Sequence, residues 1–191
     1  MVNLEVIMLL GIPGALRAES TNRKLAREAA RLYGGSFLEA DLGLPLFDAD
    51  IEETEGIPPL VQRLGGQIAD AEAVVISTPE YNKSFPGVLK NALDWVSRTE
   101  GNPWKDKPVA IISAAAGREG GARASFALRL AMNAFQPRLL PGPEVMIADA
   151  RSQFDESGGL TSERYLKTLT ALMNELKIEA DRMRSPLSQA G

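Results

Sequence analysis

The sequence contains no cysteine and no histidine among its 191 residues. The missing cysteine excludes disulfides and thiol nucleophiles, and the missing histidine excludes imidazole bases. The two absences together remove the usual zinc ligands. If the protein is an enzyme, we therefore expect a bound cofactor to carry the demanding chemistry, while the protein supplies position and electrostatics.

Long apolar runs and an excess of positive charge are also absent. No apolar run approaches the roughly 18 residues that a membrane span needs. The first ten residues have neither the basic flank nor the cleavage site of a signal peptide. The 21 basic and 25 acidic residues give a net charge of −4, which does not indicate nucleic-acid binding. These features predict a cytoplasmic protein that binds neither membranes nor nucleic acids.

The composition is that of an ordinary soluble globule, with 45% hydrophobic and 24% charged residues. A chain of this length is typical of one domain with a sizeable core. No internal repeat or linker divides it. We therefore predict a single domain over residues 1–184, followed by a disordered tail over residues 185–191.

Strand and helix patterns alternate along the chain. Apolar runs predict strands at residues 4–10, 37–40, 73–77, 109–113 and 145–148. Helical spacing predicts helices at residues 22–33, 59–71, 87–98, 121–135 and 161–184, the last with Thr161 as its N-cap. The acidic stretch 48–55, within the long connection 42–58, is interpreted as a solvated face. The alternation predicts an α/β fold in which helices cover both faces of a parallel sheet.

The first chemically unusual loop follows the first predicted strand and reads GIPGALRAESTNRKLA, residues 11–26. It lacks the Gly-Lys-Ser/Thr ending of a Walker A loop and the third glycine of the dinucleotide fingerprint. Arg17, Ser20, Thr21 and Asn22 lie in or just before the first turn of a helix. Hydroxyl groups, a guanidinium and free backbone N–H groups in this place are suited to a phosphate. The alternative, an ordinary N-cap beside a solvated arginine, stays open.

The second loop lies within STPEYNKSFPGVLKNALDW, residues 77–95. Prolines on both sides restrict the backbone around Glu80, Tyr81 and Asn82. The backbone N–H and C=O groups of these residues could then face the polar edge of a flat heterocycle in a fixed pattern. The alternative is a rigid turn that only starts the next helix.

The third loop, SAAAGREGGARA at residues 113–124, is rich in small residues that let a ligand approach the backbone closely. Alone it could be a common strand-to-helix turn. In an open parallel sheet, however, ligands bind beyond the carboxyl ends of the strands, where the strand order reverses. Three unusual loops on neighbouring strands therefore indicate one shared ligand.

Several of these motifs resemble those of the NAD(P)H-dependent FMN reductases, which include chromate and quinone reductases. The matching segments are GALRAESTNRKLA, LPLFDADIEE, ADAEAVVISTPEYNKSFPGVLKNALDWVSR and GGARASFALR, which occur in order along most of the chain, and only about the last forty residues are weakly diagnostic. The resemblance implies a flavodoxin-like, five-stranded parallel sheet of order 2-1-3-4-5. It also implies FMN at the switch point between strands one and three, and NADPH or NADH as electron donor.

By resemblance, the first loop holds the FMN phosphate, residues 79–82 border the isoalloxazine ring, and residues 114–117 line its other side. The expected cofactor-binding residues are Ala15, Leu16, Arg17, Ser20, Thr21, Asn22, Pro79, Glu80, Tyr81, Asn82, Ala114 and Gly117. No catalytic side chain and no metal ligand is expected. The chain departs from the family at Ala15, where serine is common, and at Lys83, where glycine, another small residue or an aromatic residue is frequent.

The resemblance implies an oxidoreductase that takes hydride from NADPH or NADH. Its small-molecule acceptor would be a quinone, a flavin, an azo or nitro compound, or an oxyanion such as chromate. Two alternatives remain, a non-catalytic electron carrier of the flavodoxin type and a flavin reductase that supplies reduced FMN to a partner monooxygenase. The apolar breadth of the helix predicted at residues 87–98 suggests a homodimer or homotetramer.

Overall fold

The computed structural model describes residues 9–184, which form a parallel sheet with helices on both faces. The strands are β1 (Leu9–Pro13), β2 (Phe37–Glu39), β3 (Ala73–Thr78), β4 (Pro108–Ala114), β5 (Arg138–Leu139) and β6 (Val145–Ile147). The helices are α1 (Thr21–Tyr33), α2 (Ala49–Glu55), α3 (Pro59–Asp70), α4 (Gly87–Val96), α5 (Ala122–Met132) and α6 (Glu163–Arg184). Short 3₁₀ turns lie at Asn133–Phe135 and Ala150–Ser152.

The strand order β2-β1-β3-β4-β5 confirms the predicted flavodoxin-like fold. The register places Gly11 beside Val75 and Val75 beside Ala110. The fifth position holds two short strands, since β5 pairs with the start of β4 and β6 with its end. Pro141 and Pro143 lie between the two strands, and proline has no N–H to donate to a sheet. The strand predicted at residues 145–148 corresponds to β6, and the two-residue strand β5 was not predicted.

The two faces of the sheet bury separate apolar cores. α1 and α6 cover one face with side chains such as Leu25 and Leu172, while α3, α4 and α5 cover the other. Within α4, Leu93 is 2% exposed and packs in the second core, while Trp95 is 0% exposed and packs against Phe47 with 4.9 Å between the ring centroids. The apolar side chains of α4 are used inside the chain, and the association of subunits stays a prediction.

The acidic stretch interpreted as a solvated face forms the short helix α2. The Asp48 side chain accepts the Asp50 N–H at 2.9 Å, and Gly56 ends the helix with a φ of 78°. None of the residues of α2 is buried. Glu52 pairs with Arg98 at 2.8 Å, which links α2 to the end of α4. The helix was missed because it has end signals but no apolar stripe.

The last helix begins later than expected. α6 starts at Glu163, and the Thr161 hydroxyl donates to the Gln153 carbonyl at 3.1 Å, so the predicted Thr161 N-cap is wrong. The predicted tail and residues 4–8 of the predicted first strand lie outside the described residues, and the single-domain assignment stays a prediction. Within residues 9–184, no helix is long and apolar enough to cross a membrane.

Candidate functional site

A cleft opens at the carboxyl ends of β1 and β3, where the strand order reverses and ligands bind in open parallel sheets. Its volume is about 670 Å³. Its walls come from the loops that follow β1, β3, β4 and β6. The lining residues are Arg17, Glu19, Ser20, Thr21, Asn22, Lys24, Pro79, Glu80, Tyr81, Ala114, Ala115, Ala116, Ala150 and Arg151.

One end of the cleft is the N-terminus of α1. Ser20 is the N-cap, and its hydroxyl oxygen accepts the Asn22 N–H at 3.2 Å. The Thr21 N–H, at the first helical position, has no acceptor within the helix. The exposed guanidinium of Arg17 has no ion pair or hydrogen bond within residues 9–184. The positive end of the helix, the free Thr21 N–H and the unpaired Arg17 guanidinium are together suited to bind a phosphate.

The Asn22 side chain is 1% exposed and connects three elements. Its amide nitrogen donates to the Ala114 carbonyl at 2.8 Å. Its amide oxygen accepts the Ser77 hydroxyl at 2.9 Å and the Ala114 N–H at 3.1 Å. Asn22 therefore holds the start of α1 against the ends of β3 and β4. These hydrogen bonds give the Asn22 side chain a positioning role within the protein, and its contact with a phosphate stays a prediction.

The wall after β3 is a tight turn. Tyr81 and Ser84 exchange backbone hydrogen bonds of 2.9 and 3.1 Å across Asn82 and Lys83, whose φ values are 51° and 67°. Glycine adopts this left-handed backbone most readily, so a lysine at position 83 is strained. The Glu80 carboxylate accepts the Arg123 N–H at 3.2 Å, so the arginine takes up part of the hydrogen-bonding capacity of the only charged side chain of this wall that lines the cleft.

The opposite wall consists of the alanines that follow β4. Ala114 is buried, and Ala115 and Ala116 are increasingly exposed along the cleft. Gly120 and Gly121, which follow in the same loop, face protein atoms and not the cleft. A Cβ on Gly120 would lie 2.5 Å from the Met146 carbonyl carbon, and both Gly120 and its neighbour Gly121 have positive φ. These two glycines permit a close turn into α5, while the alanines permit close approach of a ligand.

Eight of the twelve predicted cofactor-binding residues line the cleft: Arg17, Ser20, Thr21, Asn22, Pro79, Glu80, Tyr81 and Ala114. The other four are Ala15, Leu16, Asn82 and Gly117, and none of them is among the lining residues. Ala15 is 4% exposed, so a serine in its place would have its hydroxyl attached to a buried Cβ. The part of all twelve in binding a cofactor stays a prediction.

Sequence reasoning missed four lining residues, Glu19, Lys24, Ala150 and Arg151. Ala150 and Arg151 follow the last strand at the same sheet edge as the other loops. The rule that strand ends carry the ligand could have pointed to them. Lys24 lies inside α1, where a single lysine gives no distinguishing pattern.

The residues present fit FMN. A phosphate is suited to the α1 N-terminus and Arg17, and a flat ring is suited to the space between the stiff turn and the alanines. The backbone groups of residues 79–81 can meet the polar edge of such a ring. No cluster of His, Cys, Asp or Glu that could hold a metal ion occurs within residues 9–184.

The comparisons with known proteins agree with this site. The model of the NADPH-dependent FMN reductase family matches residues 7–152. An NAD(P)H-dependent FMN reductase from Pseudomonas aeruginosa is 41% identical over 181 residues, covering 93% of this chain and 97% of that protein. A quinone reductase from Escherichia coli is 39% identical over 172 residues, covering 87% of this chain and 90% of that protein.

Among solved structures, the flavoenzyme NAD(P)H:(acceptor) oxidoreductase FerB from Paracoccus denitrificans superposes with a TM-score of 0.83. It is 31% identical and covers 93% of this chain and 98% of that chain. The family match, the relatives and the cleft agree with one another. The chain belongs to the NADPH-dependent FMN reductase family, and it is an oxidoreductase that uses FMN with a nicotinamide electron donor.

Proposed function

We propose that the protein passes electrons from NADPH or NADH through FMN to a quinone. The observation that carries this proposal is the cleft itself, because it joins a phosphate-binding helix start to two walls suited to a flat ring. The relative from Escherichia coli named quinone reductase supports the choice of acceptor. A quinone is a flat ring that can stack in the same place as a nicotinamide.

Each wall of the cleft has its own task in this proposal. Arg17, Ser20 and the Thr21 N–H hold the phosphate, and Asn22 keeps the helix that carries them in place. Residues 79–82 orient the polar edge of the ring, and residues 114–117 leave one side of the ring open. When bound, FMN supplies two-electron redox chemistry between donor and acceptor. We assign no catalytic acid or base to a side chain.

Other acceptors and other roles remain as alternatives. A flavin, an azo or nitro compound, or chromate could replace the quinone in the same open space. A flavodoxin-type electron carrier would oxidise NADPH slowly with every acceptor. A flavin reductase would release its FMN and pass it to a monooxygenase.

Steady-state assays with FMN-loaded protein separate these roles. The proposal predicts rapid NADPH oxidation that depends on a quinone, and FMN that stays bound through gel filtration. Slow turnover with every acceptor would support the electron carrier, and loss of FMN on the column would support the flavin reductase. Faster turnover with azo, nitro or chromate acceptors than with any quinone would contradict the quinone assignment.

We propose that the protein is a homodimer or homotetramer that associates through α5. Phe126 and Leu130 are 53% and 73% exposed and lie one turn apart on this helix. Large exposed apolar side chains in one place are typical of an association surface. The predicted cytoplasmic location stays a prediction of the sequence.

A further inference from the structure

The cleft carries more unpaired positive charge than one phosphate requires. Arg17, Lys24 and Arg151 line it, and none has an ion-pair partner within the described residues. Of the two lining carboxylates, Glu80 pairs with an arginine outside the lining and Glu19 is unpaired. A phosphomonoester carries a charge of about −1.5 to −2, and Arg17 with the helix dipole offers about +1.5. Lys24 and Arg151 are left, and the Glu19 carboxylate offsets one of their two charges, so a net charge of about +1 remains for a second anion.

Arg151 extends from a backbone that is held beside the alanine wall. The Ala150 N–H donates to the Ala115 carbonyl at 3.1 Å, and the Ala115 N–H donates to the Ile147 carbonyl at 3.0 Å. Ala150 is 2% exposed, and Asp149, which begins the turn, has a left-handed φ of 46°. The Arg151 side chain therefore starts from a fixed place at the edge of the alanine wall of the cleft.

Lys24 lies where the cleft continues into a second groove. That groove, of about 660 Å³, runs between α1 and residues 156–160, and it shares Glu19 and Lys24 with the first cleft. The Lys24 stem lies 3.6 Å from the point where a Cβ on Gly158 would stand. A long ligand that has one end on the flavin ring can therefore extend past Lys24 from the first cleft into this second groove.

We propose that Arg151 and Lys24 bind the 2′-phosphate of NADPH and make the enzyme prefer NADPH to NADH. This inference rests on the proposed function. The nicotinamide must lie on the flavin ring for hydride transfer, so the rest of the donor must extend along the cleft and the second groove. The 2′-phosphate is the group that distinguishes the two donors. A guanidinium and an ammonium are the side chains that bind such a dianion.

Binding and kinetic measurements on FMN-loaded protein test the proposal. Calorimetry with adenosine 2′,5′-bisphosphate and with 5′-AMP compares ligands with and without the 2′-phosphate. For Arg151→Met and Lys24→Met, we expect bisphosphate affinity to fall about tenfold and KM for NADPH to rise similarly. The 5′-AMP affinity, KM for NADH and FMN affinity should stay within about twofold of wild type. Arg151→Lys should restore part of the loss.

Arg63→Met is the matched control, since Arg63 is exposed and unpaired on α3, on the other face of the sheet from α1. It should change none of these values. The proposal is overturned if Arg151→Met weakens the binding of FMN as much as that of the bisphosphate, or if it raises KM for NADH and KM for NADPH equally. It is also overturned if the variant leaves the bisphosphate affinity and KM for NADPH unchanged. Wild-type protein that neither nicotinamide reduces would refute the proposed function, and the calorimetry would still decide whether these side chains bind a 2′-phosphate.

Discussion

Arg17 and Asn22 lie close together in sequence, yet the structure gives them different surroundings. Arg17 is exposed at the mouth of the cleft and has no partner within residues 9–184, whereas the Asn22 amide makes three hydrogen bonds that join α1 to β3 and β4. One side chain is available to a ligand, and the other is used by the protein. Substitutions at the two positions should therefore differ in kind.

Arg17→Ala should weaken FMN binding and leave riboflavin binding nearly unchanged, because riboflavin has the same ring and no phosphate. The loss of a charge-assisted contact corresponds to about 1.5–3 kcal/mol, or roughly ten- to a hundredfold in affinity. Fluorescence titrations with FMN and with riboflavin measure the two affinities. Equal weakening of the two would show that Arg17 supports the fold and not the phosphate.

Asn22→Ala, the companion variant, should lower the stability of the fold as well as the affinity for FMN, because Asn22 holds the helix that carries the phosphate donors. It leaves the Ser77 hydroxyl and the Ala114 backbone groups without their partner, at about 1–3 kcal/mol for each buried unsatisfied group. Urea unfolding should therefore show a lower free energy of unfolding. Unchanged stability together with a selective loss of FMN would assign the Asn22 amide to the phosphate after all.

The residues that sequence reasoning placed well are those next to recognisable strand ends. Arg17, Ser20 and Tyr81 follow two strong apolar strands, so their position at one sheet edge can be inferred from the chain alone. The same rule could have pointed to Arg151, which follows the last predicted strand, but the left-handed turn at Asp149 that places it has no periodic pattern.

Among the elements, the turn into α5 depends on glycine for its shape. Gly121 has a φ of 91°, and a Cβ there would lie 2.9 Å from the Ser113 Cβ. We expect Gly121→Ala to destabilise the fold by about 2–4 kcal/mol, because it combines a left-handed backbone with a clash. Denaturant unfolding monitors the change.

Gly66 supplies the matched control for this substitution. It lies inside α3, and a Cβ there would have open space around it. Gly66→Ala should therefore stabilise the protein by about 0.5–1 kcal/mol through helix propensity. Equal effects of the two substitutions would contradict the role given to the turn.

Elements with an apolar stripe or a long apolar run were predictable, and those without one were not. α1 and α4 have both a stripe and a clear stop, whereas α2 has an N-cap and acidic residues but buries nothing. β5 consists of two residues, which is too short for an alternating pattern. The start of α6 was misplaced because Thr161 bonds to an earlier loop.

For the whole molecule, the proposed association surface is on α5, where Phe126 and Leu130 are exposed. Leu130→Glu should convert the oligomer to a monomer, because a charge would replace the most exposed apolar side chain of the α5 surface. Leu46→Glu is the control, since Leu46 is 80% exposed in a loop remote in sequence. Light scattering at micromolar concentration gives the mass. A wild-type monomer, or dissociation by both substitutions, would contradict association through α5.

The central claim is that this cleft binds FMN and uses it to carry electrons from a nicotinamide to a quinone. Anaerobic stopped-flow spectroscopy tests it most directly, by mixing FMN-loaded protein with NADPH and then with a quinone. The account predicts that the visible absorbance of the bound flavin is lost with NADPH and returns with the quinone, each within the turnover time. A flavin that NADPH does not bleach, or that the quinone does not reoxidise, would contradict the account.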